Sequence, residues 1–172
     1  KIPLHPDALS GILGDIVKEI LPQTEADEIN LLMSLITYCG NYLGREAYFK
    51  KEGTNHALCF YTAMIGPTSQ ARKGTGYDHI YYIFWELDQA YTKARVKSGW
   101  KTGEGIVNLL RDDEFDEEGE VVNLVLDRRL LIFESELSLL LKSFKDNNIS
   151  SEILRVFYDK GIGETISKKN PQ

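Results

Sequence analysis

The sequence predicts an α/β fold with a helical pair in front of it. Three observations predict it. Apolar residues recur at helical spacing through the first 44 positions, two short continuous apolar runs stand at 57–65 and 130–133, and a Gly-rich turn leads from the first run into a further helical stretch. A length of 172 residues allows one domain, or one domain with a small appendage. An apolar content of 42% and a charged content of 27% exclude a wholly disordered chain, and two cysteines exclude a disulfide scaffold. No apolar run approaches the roughly 20 residues that cross a bilayer, and no charged-then-apolar signal opens the chain. The expectation is a protein without a membrane segment, cytoplasmic, with Cys39 and Cys59 as buried thiols.

The elements follow in order. Leu9, Ile12, Leu13, Ile16, Val17, Ile20 and Leu21 lie at i, i+3, i+4 intervals and predict an amphipathic helix over 6–21, stopped by Pro22. Thr24, with Asp27 three places on, reads as a capping-box-like start for a second helix. Leu31, Leu32, Leu35 and Ile36 give that helix its apolar face, and Gly44 its stop. Residues 57–65, ALCFYTAMI, are short, aromatic and end at Gly66-Pro67, which fits a buried strand. After the turn GPTSQARKGTG, a helix is expected over 78–95, with Ile80, Ile83, Phe84, Leu87 and Tyr91 on one face. A loop, a short helix at 104–110 and an acidic loop come next, then a strand at 130–133 and two helices at 136–145 and 150–158, the last capped by Ser150 or Ser151.

The acidic loop, 112–120, holds seven acids and no base. Without them the formal net charge of −6 would be +1, so the rest of the chain is near neutral. His5, His56 and His79 are scattered, with no Cys/His pair at zinc spacing.

The turn at 66–76 carries the first functional signal. Main-chain N–H groups at a helix start favour an anionic phosphate, a lysine neutralises distal phosphates, and a Ser/Thr hydroxyl helps to hold magnesium. Lys73 and Thr75 stand at the end of such a turn. The spacing departs from the usual phosphate-loop pattern: Gly66 to Lys73 is one residue longer, and Gly74 separates Lys73 from Thr75. The plainer alternative is an ordinary Gly-rich connection with exposed cations. The second signal is Glu134 and Glu136 directly after the strand at 130–133. An acid there can support a magnesium-bound water and activate the attacking water, and in a continued strand both acids would face one side. Acids at an exposed helix start are the plainer alternative.

Taken together, several motifs resemble those of a family of phage and mobile-element proteins that are similar to the helicase-like P-loop ATPase part of primase–helicase replication proteins. The motifs are Pro22-Gln23-Thr24-Glu25-Ala26-Asp27, Gly40-Asn41-Tyr42-Leu43-Gly44-Arg45, Arg72-Lys73-Gly74-Thr75, Gly103-Glu104-Gly105, Arg111-Asp112, the stretch Asp127 to Glu136, and Leu154 to Gly161. They span about residues 10 to 161, in order. Ser69 and Gln70 stand where the family's loops often carry Gly, and Tyr158 where Trp is common.

The resemblance implies a partial P-loop NTPase core of the RecA/AAA-like kind over 45–172, preceded by a helical segment over 1–44, with further strands beyond residue 172 carrying a sensor and an arginine finger. It implies ATP and Mg2+ as cofactors. Gly66, Ser69, Arg72, Lys73, Gly74 and Thr75 would bind the nucleotide, Thr75 and Glu134 the metal, and Glu136 with Glu134 would supply the catalytic carboxylates. Glu104 is a weaker candidate. A basic stretch with no acid, Lys93, Arg95, Lys97 and Lys101 beside Trp100, could hold single-stranded DNA by charge and stacking. The full-length form would be a homo-oligomeric DNA-replication ATPase whose site a neighbour completes, so turnover by this chain alone is not expected. Two other readings stay open: a nucleotide-binding assembly module without hydrolysis, and an α/β interaction domain in which the turn is structural.

Overall fold

Prolines and glycines cut the first helical stretch into pieces. The computed structural model describes residues 3–66, 72–99, 103–110, 114–115, 118–124, 126–146 and 148–161. A 3-10 turn at Pro6–Leu9 precedes α1, Gly11–Ile20, and a second 3-10 turn at Leu21–Gln23 contains Pro22, which lacks the N–H needed to continue the helix. Gly14 lies against the main chain of Leu9, where a Cβ would collide. Helix α2 is Glu28–Leu43. Its N-cap is Asp27, whose carboxylate accepts from the Ile29 N–H at 2.9 Å, while Thr24 Oγ1 accepts from the Ala26 N–H at 3.1 Å in the turn before it. The expected cap thus passes from Thr24 to Asp27, which sits next to the orphan amides. Gly44, at φ 69°, ends α2 as expected.

The chain divides into two units, Lys1–Ala94 and Arg95–Gln172. The division falls there rather than after residue 44 because α2 packs against the helix that follows the Gly-rich turn. Within the first unit, after α2 in sequence, comes a hairpin that periodicity does not announce: β1, Tyr48–Lys51, pairs antiparallel with β2, Thr54–Ala57. Glu52 and Gly53, at φ 50° and 83°, make its two-residue turn, as a right-twisted hairpin requires.

The expected helix over 78–95 begins earlier and is two helices, α3 at Lys73–Leu87 and α4 at Gln89–Arg95. Asp88 breaks it: the residue is extended, its carboxylate accepts from the Tyr91 N–H at 2.9 Å, and Tyr42 donates to the same carboxylate at 3.1 Å. Thr92, fully buried, donates to the carbonyls of Phe84 and Asp88 and closes the corner. The core of this unit is Val17, Leu31, Leu32, Leu35, Tyr38, Ile80, Phe84 and Tyr91. Tyr38 and Phe84 stack at 4.8 Å, Tyr42 meets both Phe84 and Tyr91 edge-on, and Tyr91 donates to Asn41 at 2.6 Å.

In the second unit β3, Val96–Ser98, pairs in parallel with β6, Leu131–Phe133, so that Val96 faces Leu131. A parallel pair needs a long crossover. Here it includes α5, Gly103–Leu110, and an antiparallel hairpin of β4, Glu114–Phe115, with β5, Val121–Asn123. The acidic loop therefore holds a hairpin, with Gly119 at φ 82° in its turn. Helices α6, Leu137–Asp146, and α7, Asn148–Asp159, follow close to expectation; α7 starts two residues before Ser150, so neither serine caps it. Both α5 and α6 pack on α7. Ile106, Leu131 and Ile153 are the buried apolar residues among those described in this unit. The architecture is mixed α/β, with three two-stranded sheets among the described residues. No described helix is long and apolar enough to cross a membrane.

Candidate functional site

The segment leading into the turn is not the buried strand that its composition predicts. β2 ends at Ala57, and residues 58–66 pair with no strand among the described residues. They run along α2 instead. The Leu58 carbonyl approaches Gly40 so closely that any Cβ there would collide with it, and Thr62 Oγ1 meets Thr37 Oγ1 at 2.7 Å. With a helix on one side and solvent on the other, Leu58, Phe60, Tyr61 and Ile65 stay exposed. An apolar run of nine residues looks the same in sequence whether two layers cover it or one.

Helix α3 starts at Lys73, five residues before the expected position, and this changes the geometry of the turn. Lys73, Gly74 and Thr75 form the first helical residues rather than the end of a loop. The first helical bond runs from the Gly76 N–H to the Arg72 carbonyl at 3.1 Å, so the N–H groups of residues 73–75 are the ones with no partner inside the helix. Arg72, the N-cap residue, is left-handed (φ 39°, ψ 41°) and makes no side-chain cap bond. That conformation is uncommon for a non-glycine residue and is held by its surroundings. The Lys73 ammonium reaches back across the turn to the Gly66 carbonyl at 3.1 Å. Gly74 faces open space, and Thr75 is exposed. Gly66, Arg72, Lys73, Gly74 and Thr75 thus belong to one local arrangement. Ser69 lies outside the described residues.

Two further residues shape this arrangement, and composition does not single them out. Asn30, 5% exposed on the first turn of α2, donates from Nδ2 toward the carbonyls of Lys73 (3.1 Å) and Arg72 (3.4 Å). Its Oδ1 accepts from Ser34 at 3.3 Å. Gly76 lies directly against the Asn30 amide, and a Cβ there would collide with it. Glu25 pairs with Arg72 at 2.7 Å. The available signals are an amide in an otherwise apolar helix start, Asn30-Leu31-Leu32, and the Thr24-Glu25-Ala26-Asp27 motif.

The expected acids belong to the second unit, whereas residues 66–75 belong to the first. β6 ends at Phe133, so Glu134 and Glu136 do not share one face of a continued strand. Glu134 is half-buried; Glu136 is exposed directly before α6, where its carbonyl accepts from the Leu139 N–H at 3.1 Å. The reason is local: Leu137 to Leu140 take up helical spacing immediately after the acids, and the strand cannot extend into it. Asp127 is held in a bidentate pair by Arg129, Nε to Oδ1 and Nη2 to Oδ2, both at 2.9 Å. Burial alone would raise its pKa; the hydrogen bonds and charge of Arg129, with the charge of Arg95, outweigh that and hold it below the ordinary carboxylate value. The Gly103-Glu104-Gly105 motif opens α5.

The basic stretch is committed internally in part. Lys93 lies 4.9 Å from the centre of the Trp85 ring, and Arg95 donates to the Leu109 carbonyl at 3.1 Å. Trp100 and Lys101, like Arg111 and Asp112, lie outside the described residues. Cys39 and Cys59 are half-buried; burial raises both thiols, and the charge of Arg45 partly offsets this at Cys59.

No group of three or more His, Cys, Asp or Glu residues that could hold a metal by itself occurs among the described residues. A magnesium ion carried by a phosphate needs fewer protein ligands, and the Thr75 hydroxyl is a hard oxygen donor on the first turn of α3. No family model, curated protein or solved structure matches the chain.

Proposed function

We propose that the first turn of α3 binds the phosphates of ATP, as part of the helicase-like ATPase that the motif resemblance implies. The observation carrying this reading is the start of α3 itself: three main-chain N–H groups without helical partners, no side-chain cap, and Arg72 and Lys73 at the same point. Such a helix end attracts anions through its dipole and its free donors. Lys73 would exchange the Gly66 carbonyl for the distal phosphates, a charge-assisted bond in place of a neutral acceptor. Thr75 would offer its hydroxyl to the accompanying magnesium, and the bare Cα of Gly74 would leave room for close approach. Hydrolysis, for which the motif resemblance names Glu134 and Glu136, is the finer part of the proposal, together with assembly into a homo-oligomer and binding of single-stranded DNA along residues 93–101.

A second reading is nucleotide binding without hydrolysis. The position of Glu136 favours it: the residue stands in front of α6 and not on an extension of β6.

Equilibrium binding of a labelled ATP to the full chain, with and without magnesium, tests the proposal. Lys73→Ala should weaken binding about tenfold or more, the usual effect of removing a hydrogen bond to a charged group. Unchanged affinity in that variant would sink it. Phosphate release by the homo-oligomeric form, in wild type and in Glu136→Gln, then separates the two readings: release that the variant loses supports hydrolysis, and ATP binding without release supports the second.

A further inference from the structure

The motif at residues 22–27 has no part in the function just proposed, yet its side chains converge on the same turn. Asp27 caps α2 and fixes its first turn. That turn presents Asn30, which is almost fully buried and grips the carbonyls of Arg72 and Lys73 from below. Two residues before the cap, Glu25 reaches the Arg72 guanidinium at 2.7 Å. The left-handed conformation of Arg72 is therefore held at both ends, its carbonyl by Asn30 and its side chain by Glu25.

These two contacts differ in kind. The Asn30 contact is buried and uncharged, and it fixes main chain. The Glu25–Arg72 pair is largely exposed, with side-chain exposures of 77% and 54%. An exposed ion pair is weak and easily exchanged for a better anion. A carboxylate on a guanidinium also satisfies the same planar donors that a phosphate would.

We infer that Glu25 is a built-in competitor for the phosphate-binding turn, occupying Arg72 until a phosphate-bearing ligand displaces it, while Asn30 positions the turn through the exchange. This rests on the phosphate-binding reading of the α3 start. The Thr24-Glu25-Ala26-Asp27 segment then sets the affinity of the site and couples occupancy of the turn to the corner between α1 and α2. Asn30 is a positioning residue; Glu25 competes with ligand and touches none.

The test is binding of ATP with magnesium chloride, and of inorganic pyrophosphate, to the wild-type chain, Glu25→Gln and Lys73→Ala at low and high salt. Glu25→Gln keeps the shape of the side chain and removes its charge. It should bind both probes about two- to fivefold more tightly at low salt, the range expected for releasing one exposed pair. The gain should shrink as salt screens the pair. If Lys73→Ala loses binding but Glu25→Gln binds as wild type does, or more weakly, the competitor role is overturned and the phosphate site stands. If wild type binds neither probe and Glu25→Gln binds them, competition is strong and the role is supported. If neither protein binds, both readings fall. A thermal melt accompanies each variant, because a merely structural role for Glu25 would lower the melting temperature without tightening binding.

Discussion

The interface between α2 and α3 and the pairing of β3 with β6 solve the same problem with different means. Across the first, Tyr38 and Tyr42 of α2 interlock with Phe84 of α3, Tyr91 of α4 closes the cluster against Tyr42, and the three tyrosine hydroxyls find partners in Tyr77, Asp88 and Asn41. The second is a parallel pair of three-residue strands with Leu131 buried and its neighbours only half-covered. Parallel sheets normally rely on cover from both faces, and two strands alone are marginal. On the helices of the second unit, Leu109, Leu137, Leu139 and Leu141 remain exposed. The candidate site sits on the better-packed of the two regions. A turn held in an uncommon conformation needs a rigid base, and Asn30 transmits the rigidity of α2 to it.

The largest effect should come from the centre of the first region. Tyr38 is 1% exposed, stacks on Phe84 and donates to Tyr77. Tyr38→Ala should cost about 3–5 kcal/mol, the range for deleting a buried aromatic ring. Hydrogen exchange of the α2 and α3 amides reads the loss directly. A cost below about 1 kcal/mol would show that the ring network fills space without stabilising the helix pair. The parallel pair should be less sensitive in absolute terms. Leu131→Ala should cost about 2–3 kcal/mol, because the site can collapse more easily around a half-covered strand. Amides of residues 96–98 and 131–133 should exchange faster in that variant. Unchanged exchange there would mean that Leu131 does not hold the pair together, and the contrast between the regions would lose its basis.

How much of this is legible in sequence depends on how local the determining interactions are. The α1–α2 pair is readable, because Pro22, Gly44 and the i, i+3, i+4 spacing act within a few residues of themselves. So are Leu131–Phe133 and the helices after it. The run at 57–65 misleads because its composition reports one apolar face and says nothing about a second layer; the determinant is Gly40, seventeen residues away, which lets the main chain lie on α2. The kink at Asp88 is hidden for a similar reason: its carboxylate caps α4, and an acid inside an apolar-periodic run carries no mark of that use. At the candidate site the cations and the glycine are legible from their order, Arg72-Lys73-Gly74-Thr75. Asn30 and Glu25 are not, because their partners lie more than forty residues on and hydrogen-bond register across a fold leaves no periodic trace.

The smallest effect concerns charge, and it sharpens the contrast from the other side. The aromatic region takes its stability chiefly from buried rings, with hydrogen bonds from Tyr38 to Tyr77 and from Tyr91 to Asn41 that join uncharged groups. The second unit carries the bidentate Asp127–Arg129 pair, with both side chains 29% exposed. The Asp127 pKa in the folded chain lies below its ordinary value of 3.8, so the folded state binds the proton less readily than the unfolded one. The stabilisation is therefore complete above that ordinary value and is lost as pH falls through the lower, folded one. Asp127→Asn should cost no more than about 1 kcal/mol near neutral pH, in keeping with a pair two residues apart and partly open to water. The variant should also lack the part of the acid sensitivity that this carboxylate contributes. Hydrogen exchange of residues 126–133, followed from about pH 6 down to about pH 3 after correction for the intrinsic rate, separates the two proteins. In wild type the protection of this segment should fall toward that of the variant as the carboxylate takes up its proton. Parallel curves across the whole range would place the acid sensitivity elsewhere and leave the Arg129 pair as geometry without a measurable share of the stability.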